Sequence, residues 1–502
     1  MAKAKSASTK TVSKEKEVPS ATSPAAKIRR TQAIHLAVPT LPQHCGNLLV
    51  CGQNDVGQLG FNPDDVMEKT RPALVPGVID VVEVKAGGMH SLCLNKQGEI
   101  WSFGCNDEGA LGRDTSEEGS ETVPGLIALP AKVVKISAGD SHSACLLEDG
   151  RVFAWGSFRD SHGSMGLTTE GNKKSPVQIM PSITAVDIAS GSDHLVLLAN
   201  NGHVWTIGCA EQGQTGRVTH RTLGGESRRG KAPLLTPGVI TRKAKPYVAN
   251  AIWAAPFCTF IRENVTNLIY GFGLNNYHQL GVAKGKSEFE NYPVLSSFTN
   301  VKSIAGGQHH TIVLTNDNKV HAIGRKDYGR LGLGSLPEDV SELTCITALG
   351  KHDIASITCG ESNSFAITRD GKAYVWGMGT NSQLGTGDED DVEEPKLLVS
   401  AQVKEKNLLS VNGGGQHSLF LVEAPESVAT VPAKVSAKAV TSTTGSEAVP
   451  KVNGGAAKAT KKKSAVEVPE VDSTTDVNGN SGKDEKMEVD ADAPKRARKR
   501  KA

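Results

Sequence analysis

The sequence predicts an all-β fold, a seven-bladed β-propeller with disordered basic tails at both ends. Three observations predict it. Two short glycine phrases alternate along the chain at a spacing close to 52 residues. Gly is abundant, 53 of 502 residues, while aromatics are only 4%, a composition of turns and short strands rather than of helices. Charge is also segregated. Residues 1–34 carry a net +6 and residues 424–502 a net +4, which leaves 33 basic and 41 acidic residues, −8, between them.

The first element, residues 1–34, is rich in Lys, Ser, Thr and Ala and has no aromatic residue. Such a segment buries no core and is expected to be disordered. Lys3, Lys5, Lys10, Lys27, Arg29 and Arg30 make it a candidate DNA-contacting tail, binding phosphate without sequence preference. The second element, residues 35–423, holds the repeats. One phrase reads apolar-Gly, then Leu-Gly or a variant, and runs from Cys51-Gly52 to Leu59-Gly60 and from Phe103-Gly104 to Leu111-Gly112. It returns from Trp155-Gly156, Ile207-Gly208, Phe272-Gly273, Ile323-Gly324 and Trp376-Gly377. The other phrase, small-Gly-x-x-His, is read at Ala86-Gly87…His90, Ala138-Gly139…His142, Ser190-Gly191…His194, Ala305-Gly306…His309 and Gly413-Gly414…His417. Cys258 and Asn363 stand where two further histidines would be. Apolar/polar alternation, as in Val81–Lys85 and Glu99–Phe103, gives each unit several short strands. A unit of this length with several strands is one propeller blade.

The order of the phrases predicts how the ring closes. The first apolar-Gly strand has no Gly-x-x-His strand before it, and the last Gly-x-x-His strand has no apolar-Gly strand after it. Ser418–Val422 is therefore expected to pair beside Leu48–Cys51, which removes the exposed edges of an open array. Five histidines at one repeat position are expected to ring one end of the shaft. Asp140 and Asp193 lie two and one residues before theirs and form a local acidic site there, or are simply solvated loop acids.

Residues 42–423, with Trp155-Gly-Ser-Phe-Arg-Asp160, Tyr270-Gly-Phe-Gly-Leu-Asn-Asn-Tyr-His-Gln-Leu-Gly281 and Gly306-Gly-Gln-His-His310, resemble the regulator of chromosome condensation family. These are chromatin-bound guanine nucleotide exchange factors for the small GTPase Ran. The resemblance implies a seven-bladed propeller, a Ran-binding surface containing Asp140, Asp193, His309 and His417, with Arg217 beside it, and no cofactor.

Two units break the repeat. In the third, Gly156 to Gly166 spans ten residues instead of eight. A tolerated loop insertion is the plainer reading. The resemblance implies a β-wedge, carried by Phe158, Arg159 and Asp160, that presses on the nucleotide-binding region of Ran. The tip, Ser161-His162, departs from the Asn-rich tip of relatives. The fourth unit is longer than the rest, with its surplus around Arg217–Lys245. It reads either as a solvated basic loop or, by resemblance, as a loop that docks Arg221, Arg228 or Arg229 on the acidic patch of the histone octamer. Arg suits that task through bidentate carboxylate pairing.

The last element, residues 424–502, is expected to be disordered. Lys495, Arg496, Arg498, Lys499 and Arg500 form a dense basic cluster of the kind that serves nuclear import or nucleic-acid contact. The nine cysteines contain no C-x-x-C pair and read as reduced, metal-free thiols. No export signal or membrane-length apolar run is present. Phosphate loops, His-Glu-x-x-His and Gly-x-Ser-x-Gly are absent as well, which argues against an enzyme. The sequence reading is a monomeric nuclear exchange factor for Ran, bound to nucleosomal DNA and histones and supplying Ran-GTP near chromosomes for nuclear transport and spindle assembly. The alternative is a non-catalytic chromatin-binding scaffold.

Overall fold

A computed structural model of the chain describes residues 34–218, 230–283 and 288–424. Seven groups of four antiparallel strands make up the described residues. The largest sheet joins two of these groups through a single pair, Gly46 with Val81. Each group is a blade. The inner strands of blades 1 to 7 are Val81–Ala86, Val133–Ala138, Ala185–Ser190, Ala249–Ala255, Val301–Gly306, Ile354–Cys359 and Leu408–Gly413. Each contacts the next and the seventh contacts the first, so the ring closes. Blade 7 takes its two inner strands from the end of the repeat region and its two outer strands from the beginning. Leu48 pairs with Leu421 and Cys51 with Ser418, as the phrase order predicts.

Burial follows strand position. In every blade but the fourth, the second strand, such as His142–Leu147, buries its first six residues because neighbouring blades cover both faces. Inner strands leave alternate side chains toward the shaft. Outer strands, such as Val392–Leu397, are mostly exposed. The core is divided in the same way. Seven apolar clusters each lie at one seam between adjacent blades, as where Leu92 and Ile100 of blade 1 meet Ile136 and Trp155 of blade 2. At about 1.5–3 kcal/mol for each fully buried large apolar side chain, no blade is stable without both neighbours.

The Gly-x-x-His phrase has a packing cause. A Cβ at Gly139 would overlap the His142 ring, and the equivalent glycines face the same clash. Each imidazole then laces two blades together. His90 Nε2 meets Ser143 Oγ at 2.8 Å, His194 Nε2 meets Thr259 Oγ1 at 2.8 Å, and His417 Nε2 meets Ser91 Oγ at 2.9 Å. These hydroxyls donate onward to carbonyls such as Ala110 O and Gln214 O. Blade 3 has Leu195 at the hydroxyl position, so His142 turns to Ser190 Oγ instead, at 3.1 Å.

The structure corrects the register expected in blade 5. The belt residue is His310, which lies 2.8 Å from Ser364 Oγ and pairs across the blade with Gly324. His309 is one residue earlier. The five belt histidines are buried, and burial holds His90 down at about 4 and the other four at about 3. They are neutral at physiological pH.

Candidate functional site

Antiparallel order sends two sets of loops to the same face of the ring. One set connects inner to second strands and the other connects third to outer strands. At the centre of this face the shaft opens in a cavity of about 250 Å³, lined in part by Gly88, Asp140, Ser192, Pro256, Glu361 and Gly415. In each blade, two residues between the glycine and the belt position lie on this face, and the first of them lines the cavity in every blade but the fifth. Blade 2 supplies Asp140 and blade 6 supplies Glu361 at the first of them. Blade 3 supplies Asp193 and blade 5 supplies His309 at the second.

These groups sit where charge is costly. Burial, reinforced by Asp140 and Asp160, pushes Asp193 up to about 7, against the opposing pull of the Arg159 backbone N–H. Burial with Asp140 nearby also pushes Glu361 up to about 7, and burial raises Asp140. The mouth therefore holds carboxyls whose ionisation is resisted. His309 is half-buried between aromatic rings, 5.2 Å from Tyr277 and 6.5 Å from Phe257. Burial and the Arg330 and Arg325 charges hold it at about 4. Sequence reasoning missed Glu361, although it occupies the repeat position of Asp140.

The insertion in the third unit is a two-stranded hairpin, Phe158–Asp160 against Gly163–Gly166, with Ser161 and His162 at its tip. Its root is fixed. Phe158 is fully buried, its ring tilted against that of His142 with centroids 4.7 Å apart, and Met165 joins the same seam between blades 2 and 3. Acids from both neighbouring blades grip the rest. Asp193 Oδ1 accepts the Arg159 N–H at 2.7 Å, and Glu211 accepts the Ser161 N–H at 3.0 Å and its hydroxyl at 2.6 Å. Glu108 accepts the Ser164 hydroxyl at 3.0 Å and the Arg159 guanidinium at 3.5 Å. Backbone N–H to carboxylate bonds are strong, so the hairpin is held at a defined angle to the rim.

Three sequence-predicted surface residues lie elsewhere. His417 belongs to the buried belt and is 0% exposed. Phe158 is an anchor rather than a contact surface. Arg217 turns inward, donating to the carbonyls of Thr206 at 3.1 Å, Pro233 at 2.9 Å and Thr236 at 2.9 Å, and burial lowers it to about 10. It secures the blade 3 loop.

Residues 47–420 match the RCC1-like domain. The chain belongs to the RCC1-like family. It is 53% identical over 407 residues to the Regulator of chromosome condensation of Drosophila melanogaster, covering 80% of this chain and 74% of that one. The protein of the same name from Homo sapiens is 45% identical over 428 residues, covering 84% and 99%. Among solved structures, Prp20p of Saccharomyces cerevisiae superposes with a TM-score of 0.70 at 27% identity, covering 77% of this chain and 94% of that one. Its description concerns binding to Gsp1p and histones. Yeast RCC1 (Prp20) solved with Kap60 gives a TM-score of 0.71 at 27% identity, covering 82% and 97%.

Other sequence-predicted residues lie outside the described residues. These are Lys3, Lys5, Lys10, Lys27, Arg29 and Arg30, the loop arginines Arg221, Arg228 and Arg229, and Lys495, Arg496, Arg498, Lys499 and Arg500. The same long unit does present a described basic element. Thr241–Arg242 pairs with Lys245–Pro246, and Arg242, Lys243 and Lys245 are exposed. Arg242 donates to the Tyr270 hydroxyl at 3.0 Å. This turn follows Ile240, which bonds to Val204 at the start of the third strand. It therefore lies on the face opposite the acidic mouth.

Proposed function

We propose that this chain is a guanine nucleotide exchange factor for the small GTPase Ran, acting through the acidic mouth and the Phe158–Gly166 hairpin. Membership of the RCC1-like family supports the reading, as does a relative named Guanine nucleotide exchange factor SRM1, 28% identical over 439 residues. The observation that carries the site is the bond from Asp193 to the Arg159 N–H, which joins the resisted carboxyls to the inserted hairpin.

A GTPase holds its nucleotide through a phosphate-cradling loop, a Lys and Mg²⁺. An exchange factor accelerates release only by binding the nucleotide-free form better than the loaded one. The hairpin displaces the phosphate loop. When phosphate leaves, the GTPase is left with uncompensated positive charge, and Asp140, Asp193 and Glu361 meet it with carboxylates that are poorly solvated when unpaired. Nucleotide rebinding loosens the complex by the same free energy. No covalent step and no cofactor enters.

Attachment to nucleosomes, and with it a nuclear, chromatin-associated location, uses the basic turn on the other face together with the basic segments of the sequence reading. Arg242, Lys243 and Lys245 are the described group for the histone acidic patch, beside the loop arginines of the sequence reading. The N-terminal lysines and arginines take DNA phosphate, the C-terminal cluster serves import, and the protein acts as a monomer. The test is release of fluorescent GDP from purified Ran, with nucleosome binding measured in parallel. Strong stimulation that survives Ala at Arg242, Lys243 and Lys245, while nucleosome binding drops about tenfold or more, is expected. Absence of stimulation by the folded protein leaves only a chromatin-binding scaffold.

A further inference from the structure

We infer that the hairpin tip is a divalent cation site of the zinc type, formed by Asp160, His162 and Glu211. One oxygen of each carboxylate and one imidazole nitrogen lie within 4.8 Å of one another. Two of the ligands come from the inserted hairpin in an Asp-x-His arrangement. The third comes from the loop that follows the third strand of blade 3. Imidazole with two carboxylates is a ligand set for zinc and its neighbours rather than for magnesium or calcium. Three protein ligands leave a fourth position for water.

The tip already has a hydrogen-bonded arrangement that brings the ligands together. His162 Nδ1 lies 3.2 Å from Ser161 Oγ and 3.8 Å from Asp160 Oδ1. The Ser161 hydroxyl donates to Glu211 at 2.6 Å, because a carboxylate only accepts. It therefore accepts from the imidazole, which places the proton on Nδ1. Metal binding shifts that proton to Nε2 and frees the Nδ1 lone pair. Ligand bonds of about 2.0–2.2 Å in a tetrahedral site bring the donor atoms to about 3.4 Å apart. The largest adjustment falls on the His162 side chain, which is 86% exposed and free to swing. Backbone bonds leave the hairpin fixed meanwhile, the His162 N–H donating to Asp160 Oδ1 at 2.9 Å and the Ser161 N–H to Glu211. Among the described residues, one competing cation pairs with the site. Lys231 Nζ lies 4.0 Å from Asp160 Oδ2 and donates to the Ser164 carbonyl at 3.2 Å. That carbonyl bond keeps Lys231 occupied when zinc takes the carboxylate.

The consequence is mechanical. Zinc would clamp the tip to blade 3, adding to the fixing points made by Asp193, Glu211, Glu108 and buried Phe158. The site stands on the geometry of the hairpin alone, whatever the hairpin presses against.

Equilibrium dialysis of the full chain against Zn²⁺ tests it, comparing wild type with His162→Ala and Glu211→Gln. The remaining histidines and all nine cysteines are common to the three proteins. Wild type is expected to hold one more tightly bound equivalent than either variant, with at least about tenfold weaker binding at that site after substitution. Amide hydrogen exchange at Arg159–Gly166 is expected to slow with Zn²⁺ in wild type and not in the variants. Equal stoichiometry and equal exchange in all three overturn the site. Thermal unfolding without metal confirms that each variant is folded, so loss of binding is not loss of structure.

Discussion

Replacing Asp193 by Asn separates two tasks that one side chain performs. Its Oδ1 orients the hairpin through the Arg159 N–H, and its charge lies at the rim near those of Asp140 and Asp160. Asn keeps an acceptor oxygen and removes the charge. Ala removes both and leaves the Arg159 N–H without its partner, at a local cost of about 1–3 kcal/mol. The stability effect has a sign that can be worked out. An ordinary Asp titrates near 3.9, whereas burial pushes Asp193 up to about 7. The folded state therefore binds this proton more tightly than the unfolded chain. Stability is lost as pH rises from about 4, and the loss is complete above about 7. At about 1.36 kcal/mol per tenfold change in proton affinity, the full penalty is about 4 kcal/mol. Weaker hydrogen bonding by a neutral acceptor returns about 1 kcal/mol of it. Asp193→Asn is thus expected to stabilise the fold by about 1–3 kcal/mol at pH 8 and to be close to neutral at pH 4. The same variant is expected to slow GDP release from Ran by about 10- to 100-fold, as an unfavourably placed charge held for function implies. The assays are urea unfolding at both pH values and stopped-flow nucleotide release. An Asn variant that is less stable at pH 8, or one that exchanges like wild type, refutes the argument that this carboxylate is kept charged at a cost for its work at the mouth. Normal exchange by Asn with slow exchange by Ala assigns the residue to hairpin positioning alone.

Two further outcomes follow from the blade lacing. The five belt histidines are held at about 3 to 4 by burial, well below the unfolded value near 6.5, so their contribution is complete above about 6.5 and is lost as pH falls toward 3 to 4. The urea midpoint is expected to drop steeply across that window, and a flat profile refutes neutral burial. Gly139→Ala drives a methyl into the His142 ring and is expected to cost at least about 3 kcal/mol or prevent folding. Gly77→Ala meets nothing within 4 Å and bears only the strain of φ +80°, about 1 kcal/mol. Chemical denaturation of the two variants side by side checks the contrast, and equal costs would remove the packing explanation of the Gly-x-x-His phrase.

Much of the architecture was legible because repetition makes one packing rule visible seven times. The closing pair needed only the order of phrases, since an unpaired edge at each end has one economical solution. The failures are equally specific. Gly306-Gly307-Gln308-His309-His310 offers two registers, and only the pairing of His310 with Gly324 shows which histidine enters the belt. Glu361 was missed although Asn363, two residues later, already marks the histidine position of its repeat. Asn363 Oδ1 accepts the Gly360 N–H at 3.1 Å, so the local turn survives without an imidazole. The inward turn of Arg217 did have a signal. Arg113 follows Gly112 as Arg217 follows Gly216, and it too donates to carbonyls, of Ser102, Ser120 and Val123. A residue type that recurs at one repeat position is first a device of the fold. Asp140 and Glu361 share a repeat position but, with Asp193, satisfy no recurring packing bond of that kind, and they are the ones the fold resists ionising.

The two faces of the ring give this division a physical basis. Strand alternation sends the long third-to-outer loops and the short inner-to-second loops to one face, and the tight second-to-third turns to the other. The blade 2 hairpin therefore enlarges one face and roots itself in the seam between blades 2 and 3, while the Thr241–Pro246 turn of the long unit lies on the other face. On the far side, residues 34–45 run along the ring. Leu36 donates its N–H to Asn200 O at 2.8 Å, Leu36 and Val38 pack on the seam between blades 3 and 4, and Leu41 packs on that between blades 1 and 2. This places the start of the described chain on the same side as the Arg242–Lys245 turn. The described chain thus begins on the face that carries the basic turn, while the carboxyls and the hairpin hold the other. Opposite charge on opposite faces lets an anionic surface be held on one side while a GTPase losing its phosphate is met on the other, with a rigid ring between them that keeps the two tasks from competing for the same residues.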